Sequence, residues 1–318
     1  MGGSATDDYI LDCCGTSADT TAVTWDFTVN LTTGTLLIRG NRSDPAGFYT
    51  GNAVTSSSHY RLTPGNTANG FVLNEPNSTV DGIQVESAHT GASGTGITYT
   101  TTGAVTIRKC RVLNTSSTDV GIGRDGSAVG GSATKTFENN LVVGFQDSQI
   151  RGEIVNNFSP TYHIQHNTCY GGVNGIVVHR GGGSGAPVQN VKANAIAGTS
   201  GNDIIEVGTN GTVNYDDNAT EDFDLATNGE IDLGAPTDAW GSPGTTSSSV
   251  FTVKDTSSSL YQTAAGALVS TDIRDLARDG VNYDVGCFEF FAAAGGAAGP
   301  LTRSALTRSA LTMPRIVQ

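Results

Sequence analysis

The sequence predicts an all-β chain wound as a single-stranded, right-handed parallel β-helix, a solenoid with coils of about 27 residues. The expectation rests on strand-sized apolar groups, an internal repeat, and turn-forming residues that recur at fixed points of that repeat.

Residues 35–38, 97–99 and 174–178 are short apolar groups rich in β-branched side chains, which fit a pleated, half-buried surface. Hydrophobic residues make up 37% of the 318, below the usual globular share, and 42 glycines sit among abundant Ser, Thr and Asn. That balance favours many turns between short strands.

Stepping from Ile83 to Cys110, Asn140, Asn167 and Asn194 takes 27, 30, 27 and 27 residues, with 127–132 as a loop insertion in the longer step. Three residues before this marker stand Val80, Ile107, Phe137, Ile164 and Val191, and two after it Val85, Val112, Val142, Cys169 and Ile196, all apolar. Two before it stand Asp81, Arg108, Glu138, Gln165 and Lys192, all polar. Four after it, Ser87 and Asn114 give way to Gly144, Gly171 and Gly198, where a turn belongs. A second series, Val120, Ile150, Val177 and Ile204, steps by 30, 27 and 27 and is expected to form another column in the same register.

Inward residues five positions apart cannot share one straight strand of period two, so a corner lies between them. Asparagine tolerates a left-handed backbone, so Asn140, Asn167 and Asn194 are expected to form that corner as a stacked ladder of amides. Helical solenoids would need a 3.6-residue period, which the repeated region lacks.

The first coil of a solenoid exposes its apolar cross-section, so residues 1–30 are assigned mainly to an N-terminal cap, with a short helix as one form of it. Residues 31–291 are expected to be the β-helix, with its earlier coils at 23–31, 36–38, 60–62 and 71–73. After residue 210 the pattern weakens into Asp- and Asn-rich loops, and 240–249 reads as a turn. Apolar groups at 250–253, 260–261, 268–269 and 285–291 are expected to complete and cap the C-terminal end. Residues 292–318 read as a Gly/Ala linker and a basic docking tail, in which Leu-Thr-Arg-Ser-Ala occurs twice and three arginines face no acid.

The formal charge of −13 repels phosphate backbones, so nucleic acid is not an expected partner. No 18-residue apolar stretch exists, so no membrane span is expected. The N-terminus lacks the positive patch and apolar run of a signal peptide, so an extracellular protein would travel by another route. The N-x-S/T triplets at Asn41, Asn77, Asn114, Asn157 and Asn218 carry no meaning without a secretory route. Cys13 and Cys14 are adjacent and unlike a disulfide pair, no CxxC or Cys/His spacing suggests zinc, and most of the five cysteines read as small buried hydrophobes.

Candidate chemistry centres on Asp119, Asp147, Glu153, Asp203 and Glu206, with His179, Arg124, Arg151 and Arg180 near them along the register. Glycoside hydrolysis needs two carboxyl groups at a set separation, and calcium-assisted elimination needs oxygen ligands close together. The 27-residue offset aligns His179 with Glu206 and Glu153 with Arg180, pairs expected as surface ladder contacts. No catalytic or cofactor-binding residue is therefore assigned, no cofactor is expected, and the metal site is unknown. Asp216, Asp217, Asp222 and Asp224 lack the glycine and spaced oxygens of a calcium loop, though structural calcium stays open. His163 and His166 flank the corner without a matching histidine in the next coil, so no metal role is expected of them. Residues 181–185 read as a protruding loop, and no nucleophile elbow or phosphate loop is present.

The segments Ile107-Arg108-Lys109-Cys110-Arg111-Val112, Phe137-Glu138-Asn139-Asn140-Leu141-Val142 and Ile164-Gln165-His166-Asn167-Thr168-Cys169 resemble the right-handed parallel β-helix, pectate-lyase-like superfamily, over roughly residues 30–290. Residues 271–289 are similar to the closing element of many β-helix repeat proteins, where D-I-x-G-x-x-R leads to D-x-G-A-x-E; here Asp275 replaces the glycine and Cys287 the alanine. His59-Tyr60-Arg61-Leu62, Ser78-Thr79-Val80-Asp81-Gly82-Ile83-Gln84-Val85 and the small-residue tail resemble β-helix proteins of tailed bacteriophages. That resemblance implies a non-enzymatic virion surface protein, a capsid decoration, head fibre or tail-associated component with a structural and display role. It implies assembly in the host cytoplasm, a place on the virion surface and an extracellular life after release. The implied partners are capsid or tail proteins, reached through residues 296–318, further copies in a homo-oligomer, and a host glycan. Its alternative is a polysaccharide-binding or depolymerising tailspike-like enzyme.

Overall fold

The computed structural model describes residues 6–14, 17–26, 31–40, 60–66, 69–91, 94–124, 131–153, 157–180, 185–221, 230–246, 249–261, 264–265, 269, 271–273, 277–278 and 282–288. The expected linker and tail at 292–318, Asn41, Asp222, Asp224 and residues 181–184 lie outside them.

The chain is a parallel β-solenoid in which each coil lends one strand to each of three sheets. It begins with β1 (Tyr9–Cys13), β2 (Ala18–Asp19) and β3 (Val23–Trp25), followed by β4 (Leu36–Gly40), β5 (Arg61–Leu62) and β6 (Asn69–Leu73). The next coils are β7 (Ser78–Asp81), β8 (Gln84–Ser87) and β9 (Thr95–Tyr99), then β10 (Val105–Arg108), β11 (Arg111–Asn114) and β12 (Val120–Gly123). After these come β13 (Lys135–Glu138), β14 (Leu141–Val143) and β15 (Ser148–Gly152), and β16 (Thr161–Gln165), β17 (Thr168–Tyr170) and β18 (Asn174–His179). The winding ends with β19 (Val188–Lys192), β20 (Ala195–Ala197), β21 (Ile204–Val207), β22 (Thr212–Asp216), β23 (Ala219–Thr220) and β24 (Ile231–Asp232). Sheet A stacks β1, β4, β7, β10, β13, β16, β19 and β22; sheet B runs from β2 to β24 and sheet C from β3 to β21. Residues 9–13, 18–19 and 23–25, expected mainly as capping, are thus strands of all three sheets. Tyr215 and Asp216, expected in a loop, belong to β22.

The apolar columns stack as the repeat requires. Val80, Ile107, Phe137, Ile164 and Val191 face one another strand to strand in sheet A. Val85, Val112, Val142, Cys169 and Ile196 do so in sheet B, and all of these side chains are buried. Burying such a side chain contributes roughly 1.5–3 kcal/mol, so the columns dominate the stability of the rod.

The second series is corrected. Ile150 pairs with Ile122 and Ile176, and Ile176 with Ile204, so the sheet C column is Ile122, Ile150, Ile176 and Ile204 rather than one containing Val120 and Val177. The arcs leading into sheet C differ by a residue from coil to coil, and a constant 27-residue step loses register there.

The corner is also corrected. Its left-handed residue is the one before the ladder asparagine: Lys109, Asn139, His166, Ala193 and Asp217 have φ of 54, 54, 53, 53 and 52°. The asparagine is buried and bonds along the stack: Cys110 N donates to Asn140 Oδ1 (2.9 Å), Asn140 N to Asn167 Oδ1 (3.0 Å) and Asn167 N to Asn194 Oδ1 (3.0 Å). Asn218 adds a further rung, accepting from Asn194 N at 3.1 Å. At the next turn Gly144, Gly171 and Gly198 take φ of 83, 73 and 67°, and a Cβ on Gly198 would sit 2.8 Å from the Tyr170 ring.

Among the described residues, the C-terminal region packs alongside sheet B, including its last strands. Short helix α1 (Pro236–Ala239), the antiparallel pair β25 (Trp240–Ser242) and β26 (Val250–Val253), and the closing residues Ile273, Val285, Cys287 and Phe288 form a lobe on the outer face of sheet B. Leu113, Leu141, Val143, Ala195 and Ala197 point outward from that sheet and pack against Trp240, Phe251, Leu260, Ile273 and Val285. Tyr170, Trp240 and Phe251 meet with ring centroids 5.3–6.1 Å apart. The expected turn at 240–249 therefore begins with a buried tryptophan.

The outer face of sheet A stays open among the described residues. Asp12, Arg39, Asp81, Arg108 and Glu138 lie opposite one another on successive strands and alternate in charge. Arg39 bonds Asp12, Arg108 reaches Asp81 at 3.0 Å, and Lys192 closes on Asp216 at 3.1 Å. This is a surface ladder of cross-strand pairs worth little individually.

Candidate functional site

Four of the sequence candidates, Asp147, Arg151, Glu153 and His179, come together beside β15 and β18. Arg151, at the end of β15, donates from Nε to Glu153 Oε2 (2.7 Å), from one terminal nitrogen to Asp147 Oδ2 (2.8 Å), and from the other to His179 Nε2 (3.2 Å). His179, the last residue of β18, also lies 3.4 Å from Glu153 Oε2. Burial lowers its imidazole below the ordinary value, with Glu153 and Asp147 pulling upward and Arg151 pushing further down. A neutral ring that already accepts from Arg151 has its lone pair engaged, which opposes a general-base role.

The aligned pairs inferred from a 27-residue step do not form. His179 faces Val207, while Val178 faces Glu206. Glu153 joins Arg151 and His179, and Arg180 bonds Glu206 at 3.0 Å instead. Tyr215 donates its hydroxyl to the other Glu206 oxygen (2.7 Å), and burial together with that carboxylate drives the phenol pKa up. Both oxygens of Glu206 are thus occupied.

Asp203 is buried and structural: one oxygen accepts from Thr199 Oγ1 (2.8 Å) and the other from Glu221 N (2.6 Å). Asp119 contributes its carbonyl to Asp147 N and Ser148 N, continuing the backbone ladder. His163 stands on sheet A with its Nδ1 3.5 Å from Asn190, and Asp217 is a corner residue. Among the described residues, no group of three or more His, Cys, Asp or Glu is arranged to hold a metal ion. Cys110, Cys169 and Cys287 are buried thiols, as expected of small hydrophobes, and Cys14 is exposed.

Arg124, expected among the surface candidates, is buried beside the core residue Tyr99. Its guanidinium is 5.8 Å from the Tyr99 ring centre and Lys135 Nζ is 5.0 Å from the same centre. Tyr99 and Tyr162 share a hydroxyl hydrogen bond of 2.7 Å, and Tyr162 continues it to the Glu153 carbonyl. Lys135 donates to the carbonyls of Thr101 (3.3 Å) and Gly103. Burial, and then the Arg124 charge, lowers its ammonium pKa to about 8. Reading the sequence missed Lys135, although it occupies the inward column of Val105 and Tyr162.

A shallow groove of about 540 Å³ opens beside the first strands of sheet A, lined by Thr32, Thr33, Thr35, Asn77, Thr79 and Thr106 among others. Among the described residues no helix is long and apolar enough to cross a membrane. No protein-family model matches the chain, and no curated protein or solved structure matches it.

Proposed function

We propose that this chain is a non-enzymatic structural and display protein of a bacteriophage virion surface, a decoration, head fibre or tail-associated component. The observation that carries the reading is the mutual engagement of its acid, base and arginine candidates: Arg151 binds Asp147, Glu153 and His179, while Glu206 is held by Arg180 and Tyr215. Groups tied to one another on adjacent strands stiffen a rod and have little freedom to move protons. A right-handed wind, the hand that parallel crossovers adopt almost always, is part of the proposal.

The groove lined by Thr32, Thr35, Asn77, Thr79 and Thr106 favours a second reading, in which a polysaccharide is bound. Two experiments separate these readings. Labelling of intact particles with an antibody to the chain is expected to place it on the head or tail surface, with deletion of residues 296–318 abolishing incorporation. Incubation with host glycans is expected to release neither reducing ends nor unsaturated products. Turnover lost in Glu206→Gln overturns the non-enzymatic reading, and particles without the chain overturn the virion reading.

A further inference from the structure

The sequence holds four Asn-Gly pairs, at residues 69–70, 174–175, 210–211 and 228–229, the last outside the described residues. Such a pair can react with itself, because glycine has no side chain to keep its backbone nitrogen away from the asparagine amide. The fold treats the described pairs differently. Asn174 opens β18: its Nδ2 donates to the Asp147 carbonyl (2.9 Å), its Oδ1 accepts from Asn202 N (3.3 Å), and Gly175 N donates to the Asn202 carbonyl (3.1 Å). Asn69 opens β6 opposite Thr95, and Gly70 is buried within that strand. Asn210 and Gly211 instead lie in the bend between β21 and β22, where Gly211 takes a φ of 91° and its N–H makes no hydrogen bond among the described residues. The backbone around this bend secures the end of sheet A. Gly211 O accepts from Arg180 at 3.1 Å, and Thr212 N donates to the Pro187 carbonyl at 2.8 Å, where β22 starts to pair with β19. β22 is the last strand of sheet A and holds Tyr215 on Glu206.

We propose that Asn210 is a self-modification site, at which the chain converts asparagine to aspartate and isoaspartate through a cyclic imide with Gly211 and thereby loosens β22 while the earlier coils stay wound. Gly211 N gives its proton to hydroxide and attacks Asn210 Cγ. The new C–N bond closes the imide, and the side-chain nitrogen leaves as ammonia with a proton from water, which restores the hydroxide. Water then adds to either ring carbonyl, and the bond from that carbonyl to the Gly211 nitrogen breaks. Opening at the side-chain carbonyl gives aspartate; opening at the main-chain carbonyl gives isoaspartate, whose main chain runs through the former side chain and is longer by an atom. The sum is amide plus water giving carboxylic acid plus ammonia, with no change of oxidation state. The added atom displaces Gly211 against Arg180 and Pro187, which removes the start of the β22 ladder. In β6 and β18 the same attack requires the strand to open first, so those pairs are protected by the local stability of their coils. None of this depends on the virion reading.

The test ages the full chain in mildly alkaline buffer and then cleaves it after glutamate at mildly acidic pH, which separates residues 207–221 from Asn228. Tandem mass spectrometry locates each converted residue, and enzymatic methylation measures isoaspartate. Asn210 is expected to convert about tenfold or more faster than Asn69 and Asn174 in the folded chain, and the rates are expected to draw together in guanidinium chloride, where no strand protects them. Hydrogen exchange of the isoaspartate-bearing fraction is expected to show lost protection in β22, with Ile107 and Phe137 unchanged. Asn210→Asp, which carries the charge without the extra main-chain atom, is expected to keep β22 protected. Conversion of Asn69 or Asn174 as fast as Asn210 in the folded chain overturns the site, as does an intact Asn210 under conditions where the unfolded chain converts, or a gap that persists in guanidinium chloride. Full protection of β22 in isoaspartate-bearing chains, or its equal loss in Asn210→Asp, overturns the loosening by the added atom.

Discussion

Asn167 Nδ2 and its backbone N–H both donate to Asn194 Oδ1, each at 3.0 Å. The same amide donates to the Phe137 carbonyl (2.9 Å), and its oxygen accepts from Asn140 N and Nδ2 (both 3.0 Å). Every donor and acceptor of this buried side chain is therefore used. Asn167→Ala strands several buried groups at once and is expected to cost about 3–5 kcal/mol in urea unfolding. Asn214→Ala, on the exposed face of sheet A, is expected to stay within about 0.5 kcal/mol. Equal losses in the two variants would remove the ladder as a source of stability.

The backbone conformation of the corner gives a second expectation. Ala193 is held at φ 53°, where a side chain costs roughly 1–2 kcal/mol, while Gly loses about 0.5–1 kcal/mol in chain entropy. Ala193→Gly is therefore expected to be neutral or to stabilise by up to about 1 kcal/mol. Ala195→Gly, two residues on in β20 and packed under the lobe, is expected to destabilise by about 1 kcal/mol. Thermal melts of the two variants moving in the same direction would contradict the placement of the left-handed residue.

How much of this was legible in the sequence depends on the length of each arc. Between sheets A and B only the sharp corner intervenes, so Phe137, Ile164 and Val191 keep a constant step and the columns on both sides of the asparagine could be read directly. Ile122, Ile150, Ile176 and Ile204 lie beyond arcs of varying length, and one residue of slip misaligned His179 and Glu206 with them. The lobe left a signal that periodicity alone does not interpret. Leu141-Val142-Val143 and Ala195-Ile196-Ala197 are apolar without alternation because both faces of sheet B are covered. Lys135 escaped because an inward lysine breaks the apolar pattern by which an inward column is recognised. The ladder asparagines announced the corner but not which neighbour turns left-handed, since Lys109, His166 and Ala193 share no chemistry.

At the end of sheet C, the Arg151 charge and its hydrogen bond both favour neutral His179, whereas Glu153 favours the imidazolium. Arg151→Gln removes the opposing cation and leaves the carboxylate. The His179 titration, followed by ring-proton NMR, is expected to move upward. A downward move would mean that Arg151 acts mainly by keeping the ring open to water.

Lys135 is the last case, and its sign is opposite to that of a surface salt bridge. Its folded pKa of about 8 lies below the ordinary 10.5, because burial and Arg124 penalise the charged form inside the coil. Below pH 8 the ammonium is protonated in both states and the penalty is fully present. Between about pH 8 and 10.5 the folded chain has released a proton that the unfolded chain still holds, so stability rises with pH across that window. Lys135→Met keeps much of the volume, removes the charge and abolishes this slope, at the expense of the bonds to Thr101 and Gly103. The gap in stability between variant and parent, measured by urea unfolding, is expected to shift in favour of the parent by up to roughly 3 kcal/mol between pH 8 and 10.5. Parallel pH profiles for the two proteins would show that the ammonium is solvated rather than enclosed beside Tyr99.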